Sequence, residues 1–258
     1  TMKYYLNLFI QEFVKTCKIA MRYKFDTIFY IFFWAVLSVI ISHVLCAKHP
    51  GNVPIFVSSF MIWLITNNSF IAIVESIMKE NTQGTLEQLY LNARSFYSLL
   101  IIKGVAVSIL SIIESMITLS LCLLFVPNVK FSMILQWIYV LPLLFIAIFS
   151  LIGIGMTCAS FALKYKNISN FYSMVSSILF GILTYGAIFL NKKPILTILF
   201  PFAKANATIQ LFLRGKTQIS VNAYTIIIIN DLLMMVLGYI VLKYYLKESK
   251  KSGSLSKF

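Results

Sequence analysis

Acidic residues are scarce in this sequence. Eight Asp and Glu stand among 258 residues, against 22 Lys and Arg. Paired carboxylates for a proton relay have little to be built from. Histidine is scarcer still: His43 and His49 are the only two, without HxxxH or HExxH spacing, so no metal site is expected. The four cysteines, Cys17, Cys46, Cys122 and Cys158, are far apart and form no CxxC pair. Cys122 and Cys158 fall inside apolar runs and read as small buried hydrophobes. No Ser-His, Cys-His or metal constellation is visible, which argues against an intramembrane enzyme and for no catalytic residue at all.

Charge of either sign is also thin. Charged residues make up 12% of the chain and hydrophobic residues 60%, with a mean hydropathy of +0.88. A soluble domain is nearer a quarter charged, so this chain has too little polar surface to cover a water-soluble globule. What it has instead is a series of apolar runs of about 20 residues. In hydrocarbon every backbone group must be paired internally, so such runs become helices. The net charge of +14 does not point to nucleic acid. The bases sit at the edges of the apolar runs, where they meet water and anionic headgroups, and no nucleic-acid-binding motif accompanies them.

The expected fold is an all-α membrane protein of six spans, forming one permease-like domain over 1–258. The spans fall at about 28–46, 53–74, 105–126, 133–163, 171–190 and 224–242. The fourth would reach about 46 Å, beyond a hydrocarbon core of about 30 Å. It must tilt, kink or project, and Pro142, Gly153 and Gly155 offer places to bend. No cleavable signal peptide is visible.

Three segments are not plain spans. Over 1–25, Leu6, Phe9, Ile10, Phe13, Cys17 and Met21 recur at helical spacing while Lys3, Asn7, Gln11, Lys15, Lys18 and Arg22 take much of the rest. That predicts an amphipathic helix at the membrane interface, or one packed on protein. A polar stretch over 75–98 is helical on both sides of Gly84, and Thr85 with Gln88 fits a capping box. Residues 191–223 hold two short apolar runs, too short to cross, and are expected to form re-entrant or outer-surface helices.

Orientation follows from the bases. With the N-terminus inside, 15 of the 22 lie in inside segments and 7 outside, and the two short outside turns carry one each. Both termini are then cytoplasmic.

Few residues promise chemistry. Gly215-Lys216-Thr217 ends like a phosphate-binding loop, but Gln210 stands where that loop needs its first glycine, so no nucleotide or other cofactor is expected on this chain. Glu114 and Asp231 lie within spans, and each must face protein or water. They read either as pathway or proton-coupling groups or as interhelix hydrogen-bonding groups.

The stretch from Glu75 to Leu89 includes Glu80, Gly84, Thr85, Leu86, Glu87, Gln88 and Leu89. It resembles the signature of the ABC type-2 exporter permease family, where an acidic residue leads into a Gly-Thr-Leu-Glu-x-Leu run. The expected layout is similar to that family too: an N-terminal amphipathic helix, six spans, and re-entrant helices between spans five and six. The resemblance covers about 15 residues as motif and the whole chain as topology. It implies a coupling helix between spans two and three that docks on a separate ATPase subunit, with Glu80, Gly84, Thr85, Leu86 and Glu87 at or near the contact. It implies two ATPase subunits, which hold ATP and Mg, and a second permease copy or a paralogue. Spans one and five, here with residues such as Phe29, Trp34, Tyr172 and Ser176, would line the dimer interface and pathway.

The expectation is a multi-pass cell-membrane permease subunit of an ATP-driven exporter. Its apolar composition favours an amphipathic or hydrophobic cargo, such as an antimicrobial or cytolytic peptide or a drug, and richness in Lys, Ile, Asn, Phe and Tyr suggests an AT-rich bacterium. A polysaccharide or glycolipid exporter of the same family is the alternative. An ion-coupled secondary transporter is the alternative of another class, although no inverted repeat is visible.

Overall fold

The structure is a computed structural model that describes residues 2–48, 53–92, 94–125, 132–165, 168–181, 200, 202–213 and 219–251. Among them it is all-helical. The elements are α1 (Met2–Arg22), α2 (Lys24–Lys48), α3 (Val53–Thr82), α4 (Leu86–Asn92), α5 (Phe96–Phe125), α6 (Ser132–Ala162), α7 (Ser169–Gly181), α8 (Ala203–Leu213) and α9 (Val221–Lys251). Five of these, α2, α3, α5, α6 and α9, are long and apolar enough to cross a membrane. The chain is thus a multi-pass membrane protein by length and composition. The expected fifth span corresponds to α7, whose 13 residues reach only about 20 Å. The rest of that expected span lies outside the described residues.

The helices overrun the apolar stretches that mark them. The third apolar run begins near Val105, yet α5 starts at Phe96, where the Ser98 amide bonds to Ser95 Oγ at 3.4 Å and Ser95 caps the helix. Hydropathy reports hydrocarbon thickness, whereas the helix continues for as long as its backbone bonds and packing hold.

Side-chain pairings fix the directions. Ser76, Ile73 and Ser69 of α3 meet Lys103, Gly104 and Ser108 of α5, an antiparallel register. Asn67 and Glu75 of α3 meet Ser176 and Tyr172 of α7, again antiparallel. In contrast, α6 and α9 run parallel: Ser150 pairs with Asp231, Gly153 with Gly238 and Lys164 with Glu248. Asn81 Nδ2 of α3 donates to the Ala162 carbonyl at 2.6 Å, satisfying one of the open acceptors at the C-terminal end of α6. So α3, α6 and α9 point one way, and α2, α5 and α7 the other.

The core lies between α3, α5, α6 and α9. Phe70, Ile73, Ile77, Leu100, Trp137, Leu143 and Leu151 are all buried there. Two glycines let α6 and α9 touch backbone to backbone. A Cβ on Gly153 would stand 2.4 Å from the Met234 carbonyl, and one on Gly238 would stand 2.3 Å from the Gly153 oxygen. Small residues at a crossing are how helices in lipid gain contact without a hydrophobic driving force. Gly155 similarly faces the Phe70 carbonyl and Ile73 of α3. Gly153 and Gly155, expected as bending points, act as contact points within an uninterrupted α6, which also carries Pro142 in its interior.

Three consecutive side chains of α3 each reach a different helix. Asn67 Oδ1 accepts from Ser176 of α7. Asn68 Oδ1 accepts from the Tyr30 hydroxyl of α2 at 3.1 Å. Ser69 Oγ accepts from Ser108 of α5 at 2.8 Å. At about 100° per residue, three successive positions cover most of a helix's circumference.

The N-terminal helix splits its apolar residues between two sides. Phe9, Phe13 and Cys17 are half-buried toward the bundle, whereas Leu6, Ile10 and Met21 stay exposed, and no residue of α1 is fully buried. The helix follows the start of α5, with Arg94 over the Tyr4 ring at 5.9 Å. It passes into α2 with its hydrogen bonding nearly intact, since Tyr23 N bonds to Ile19 O and Thr27 N to Tyr23 O, both at 3.0 Å.

Of the segment 191–223, most of the first apolar run and the Gly215-Lys216-Thr217 stretch lie outside the described residues. The second run, expected over 208–213, forms the latter half of α8, which begins at Ala203. Its Ala203, Ala205 and Ala207 are buried, as are Asn206 and Gln210. Gln210 Nε2 donates to Ser59 Oγ of α3 at 2.7 Å. A short helix covered by protein on this scale meets the requirement for non-spanning backbone at membrane depth.

Candidate functional site

The turn between α3 and α4 is the best-defined feature of the 75–98 segment. Helix α3 ends where Gly84 takes a φ of 69°, a left-handed conformation that glycine adopts without a Cβ penalty. The Thr85 amide reaches back to the Glu80 carbonyl at 3.0 Å and the Gly84 amide to the Asn81 carbonyl at 3.4 Å. This pair of bonds is the Schellman arrangement, which satisfies carbonyls that a helix end would otherwise leave open. Thr85 adds a side-chain tie: its hydroxyl donates to Glu80 Oε2 at 2.5 Å. The expected capping box with Gln88 is not formed, because the Thr85 hydroxyl is turned back to α3. The Thr85 carbonyl instead starts α4 by accepting from the Leu89 amide at 2.9 Å.

Glu80 is therefore a junction. One carboxylate oxygen holds the turn, and the other lies 4.0 Å from Lys103 Nζ of α5. Lys103 also donates to Ser76 Oγ at 3.0 Å. Its partner was not evident from sequence, where Glu114 shares its helix face but lies too far along the axis. Glu80 is far away in sequence and is brought close by the antiparallel α3–α5 pair.

Leu86 is 2% exposed and packs into the core, with Leu89 and Tyr90 against it. Of the five residues expected at a partner contact, Glu80, Gly84 and Thr85 build the turn, Leu86 anchors α4, and only Glu87 faces solvent. Gln83, Gln88, Leu91 and Arg94 are exposed around it, Leu91 to 72%. The segment thus presents a small mixed surface on a rigid mount.

The two intramembrane acids stand on different helices, Glu114 on α5 and Asp231 on α9. Asp231 of α9 is 6% exposed. Its Oδ1 accepts from the Ser150 amide of α6 at 3.1 Å, while Oδ2 is buried without a hydrogen-bond partner among the described residues. It therefore ties two spans through a backbone amide. Glu114 of α5 is half-buried on the side toward Tyr30, and its carboxylate has no hydrogen bond or ion pair among the described residues. The structure does not bring Glu114 and Asp231 together.

A cavity of about 340 Å3 opens beside the Glu80–Lys103 pair, walled by α1, α3 and α5. Elsewhere, an apolar groove of about 280 Å3 runs between α2 and α5, past Phe32, Val36, Ile40, Leu121 and Phe125. Among the described residues no group of three or more His, Cys, Asp or Glu is placed to hold a metal ion. No family model matches this chain, and no curated protein sequence matches it either.

Proposed function

We propose that this chain is the membrane permease subunit of an ATP-driven exporter, acting with a separate ATPase. On this reading it has six spans with both ends cytoplasmic, pairs with a second copy or a paralogue, and moves an amphipathic or hydrophobic cargo outward. ATP and Mg reside on the partner, and this chain performs no hydrolysis.

The observation that carries the reading is the mount of α4. An exporter driven from outside needs a part that takes a push and does not absorb it. The Schellman turn, the Thr85–Glu80 bond and buried Leu86 fix α4 to α3. The Glu80–Lys103 pair fixes the same turn to α5. A displacement of the exposed Glu87–Leu91 surface would then move α3 and α5 together. Energetically the permease would be a bistable element whose equilibrium is biased by nucleotide on another subunit.

The test is co-purification. The tagged chain, extracted mildly from its native membranes, is expected to bring down an ATP-hydrolysing subunit. Glu87→Arg with Leu91→Arg should lose that partner while the chain stays folded. Absence of any ATP-binding partner from the unaltered chain would overturn the proposal.

One observation favours an ion-coupled secondary transporter: the buried Oδ2 of Asp231, which has no hydrogen-bond partner among the described residues, since intramembrane carboxylates mark ion pathways. Transport that persists in ATP-free proteoliposomes under an ion gradient, and stops in Asp231→Asn, would favour it over the exporter.

A further inference from the structure

The cavity beside the Glu80–Lys103 pair is built from three helices whose composition changes in the same direction. Along α1 it is lined by Glu12, Lys15 and Thr16 and then Ile19. Along α3 and the turn that follows it, the cavity is lined by Gln83, Glu80, Lys79 and Ser76 and then Ala72. Along α5 it passes from Lys103 to Val107. Since α1 and α5 run one way and α3 the other, all the polar residues lie at the α4 end and all three apolar residues lie one turn further into the bundle. The cavity is thus amphipathic along its own axis, and its polarity matches that of a lipid standing in one leaflet.

Its lining carries Lys15, Lys79 and Lys103 against Glu12 and Glu80, a net charge of +1. Lys103 is engaged by Glu80 and Ser76. Lys15 and Lys79 line the same space, are exposed, and have no carboxylate within ion-pairing distance among the described residues. Glu12, the remaining acid in the lining, is half-buried and forms no ion pair there either. Two ammonium groups with no ion-pair partner among the described residues, and the Gln83 amide lining the same space, suit a phosphate-bearing headgroup. The volume of about 340 Å3 is at the low end of the roughly 300–1,000 Å3 of small-ligand sites. That is room for a headgroup and the first part of its chains.

We propose that this cavity is a binding site for an anionic phospholipid, with the headgroup phosphate between Lys15 and Lys79 and the acyl chains leaving past Ile19, Ala72 and Val107. The site stands independently of the exporter reading. Only its consequence for coupling rests on that reading, through Lys103 and Glu80. The lipid comes from the leaflet on the α4 side.

The shared chemistry is a phosphate anion, and the source is separated by experiment. The purified full-length chain is titrated in detergent with phosphatidylglycerol, phosphatidylcholine or inorganic phosphate, and bound ligand is read by native mass spectrometry. Phosphatidylglycerol is expected to bind about tenfold or more tightly than phosphatidylcholine, and Lys15→Gln/Lys79→Gln to remove that preference. Lys18→Gln/Lys243→Gln removes the same charge from positions outside the cavity and is expected to keep it. Equal binding of the two lipids, equal loss in both double variants, or displacement of phosphatidylglycerol by inorganic phosphate would each overturn the proposal. No ATPase subunit is present in this assay, so its failure leaves the exporter reading untouched, and loss of the ATPase in co-purification leaves this result untouched.

Discussion

Gly238 of α9 sits so close to Gly153 of α6 that a Cβ on it would stand 2.3 Å from the Gly153 carbonyl oxygen. The obstacle is backbone on both sides, so no rotamer change relieves it. Gly238→Ala is expected to destabilise the bundle by roughly 1–3 kcal/mol, and Gly238→Leu by more. Gly181, with nothing among the described residues within 4 Å of its would-be Cβ, supplies the control: Gly181→Ala should be close to neutral. Denaturant unfolding in detergent micelles measures both. Equal effects at the two glycines would refute the close crossing.

Gly84→Ala forces an L side chain into the φ of 69° that closes the turn. The expected cost is about 1–2 kcal/mol, and Gly84→Asn should cost less, since asparagine tolerates that region. Thr85→Val keeps the backbone bonds and loses only the hydroxyl that donates to Glu80. Amide hydrogen exchange at Gly84 and Thr85 is the readout. Faster exchange in Gly84→Ala than in Thr85→Val is expected, and the reverse order would mean that the side-chain tie dominates the turn.

Asp231→Asn retains an acceptor oxygen for the Ser150 amide, whereas Asp231→Leu does not. Asparagine is expected to unfold at nearly the parent's denaturant concentration. Leucine should lose roughly 0.6 kcal/mol, the average for interhelix hydrogen bonds in a membrane protein, and at most about 1.7. Asparagine as damaging as leucine would show that the charge, not the hydrogen bond, is what α6 and α9 require.

Lys164 lies past the end of α6, and its bond to Glu248 at 3.3 Å raises its pKa above the ordinary 10.5. A base with a raised pKa in the folded state binds its proton more tightly there than in the unfolded chain. The pair's contribution is therefore whole below about pH 10.5 and is lost as pH climbs through the folded value. Side chains 50% and 42% exposed make that contribution small and salt-sensitive. The midpoint difference between the parent and Lys164→Gln should be slight at neutral pH and should vanish in strong alkali. A difference that survives unchanged in alkali would assign it to packing of the lysine stem.

Hydropathy alone located α2, α3, α5, α6 and α9, because each carries an apolar run that no soluble helix would. The Gly84 turn was also visible in the string, since a glycine closing one helical stretch before a threonine opens the next is a local signal. The contacts between spans were hidden for one reason: they join residues remote in sequence. Gly153 looks like a bend until α9 is laid against it. Lys103 appears solitary until α3 folds back to offer Glu80. Asn67, Asn68 and Ser69 lie inside an apolar run, and periodicity reports which side of a helix a residue occupies and not what stands there. Leu86 was placed at an outer contact by motif, but its burial makes it an anchor.

Those three adjacent polar residues restrict how the protein can move. A helix tied on one side can turn like a hinge pin, and one tied on two sides can rock. Helix α3 is spoked to α7, α2 and α5 at a single level, through Asn67, Asn68 and Ser69. Turning it by one residue's angle would present each spoke to the wrong neighbour, so all three bonds break or none do. Any working motion of this bundle must therefore carry α3 with its neighbours as one block, or pass through a state in which the whole wheel is released at once.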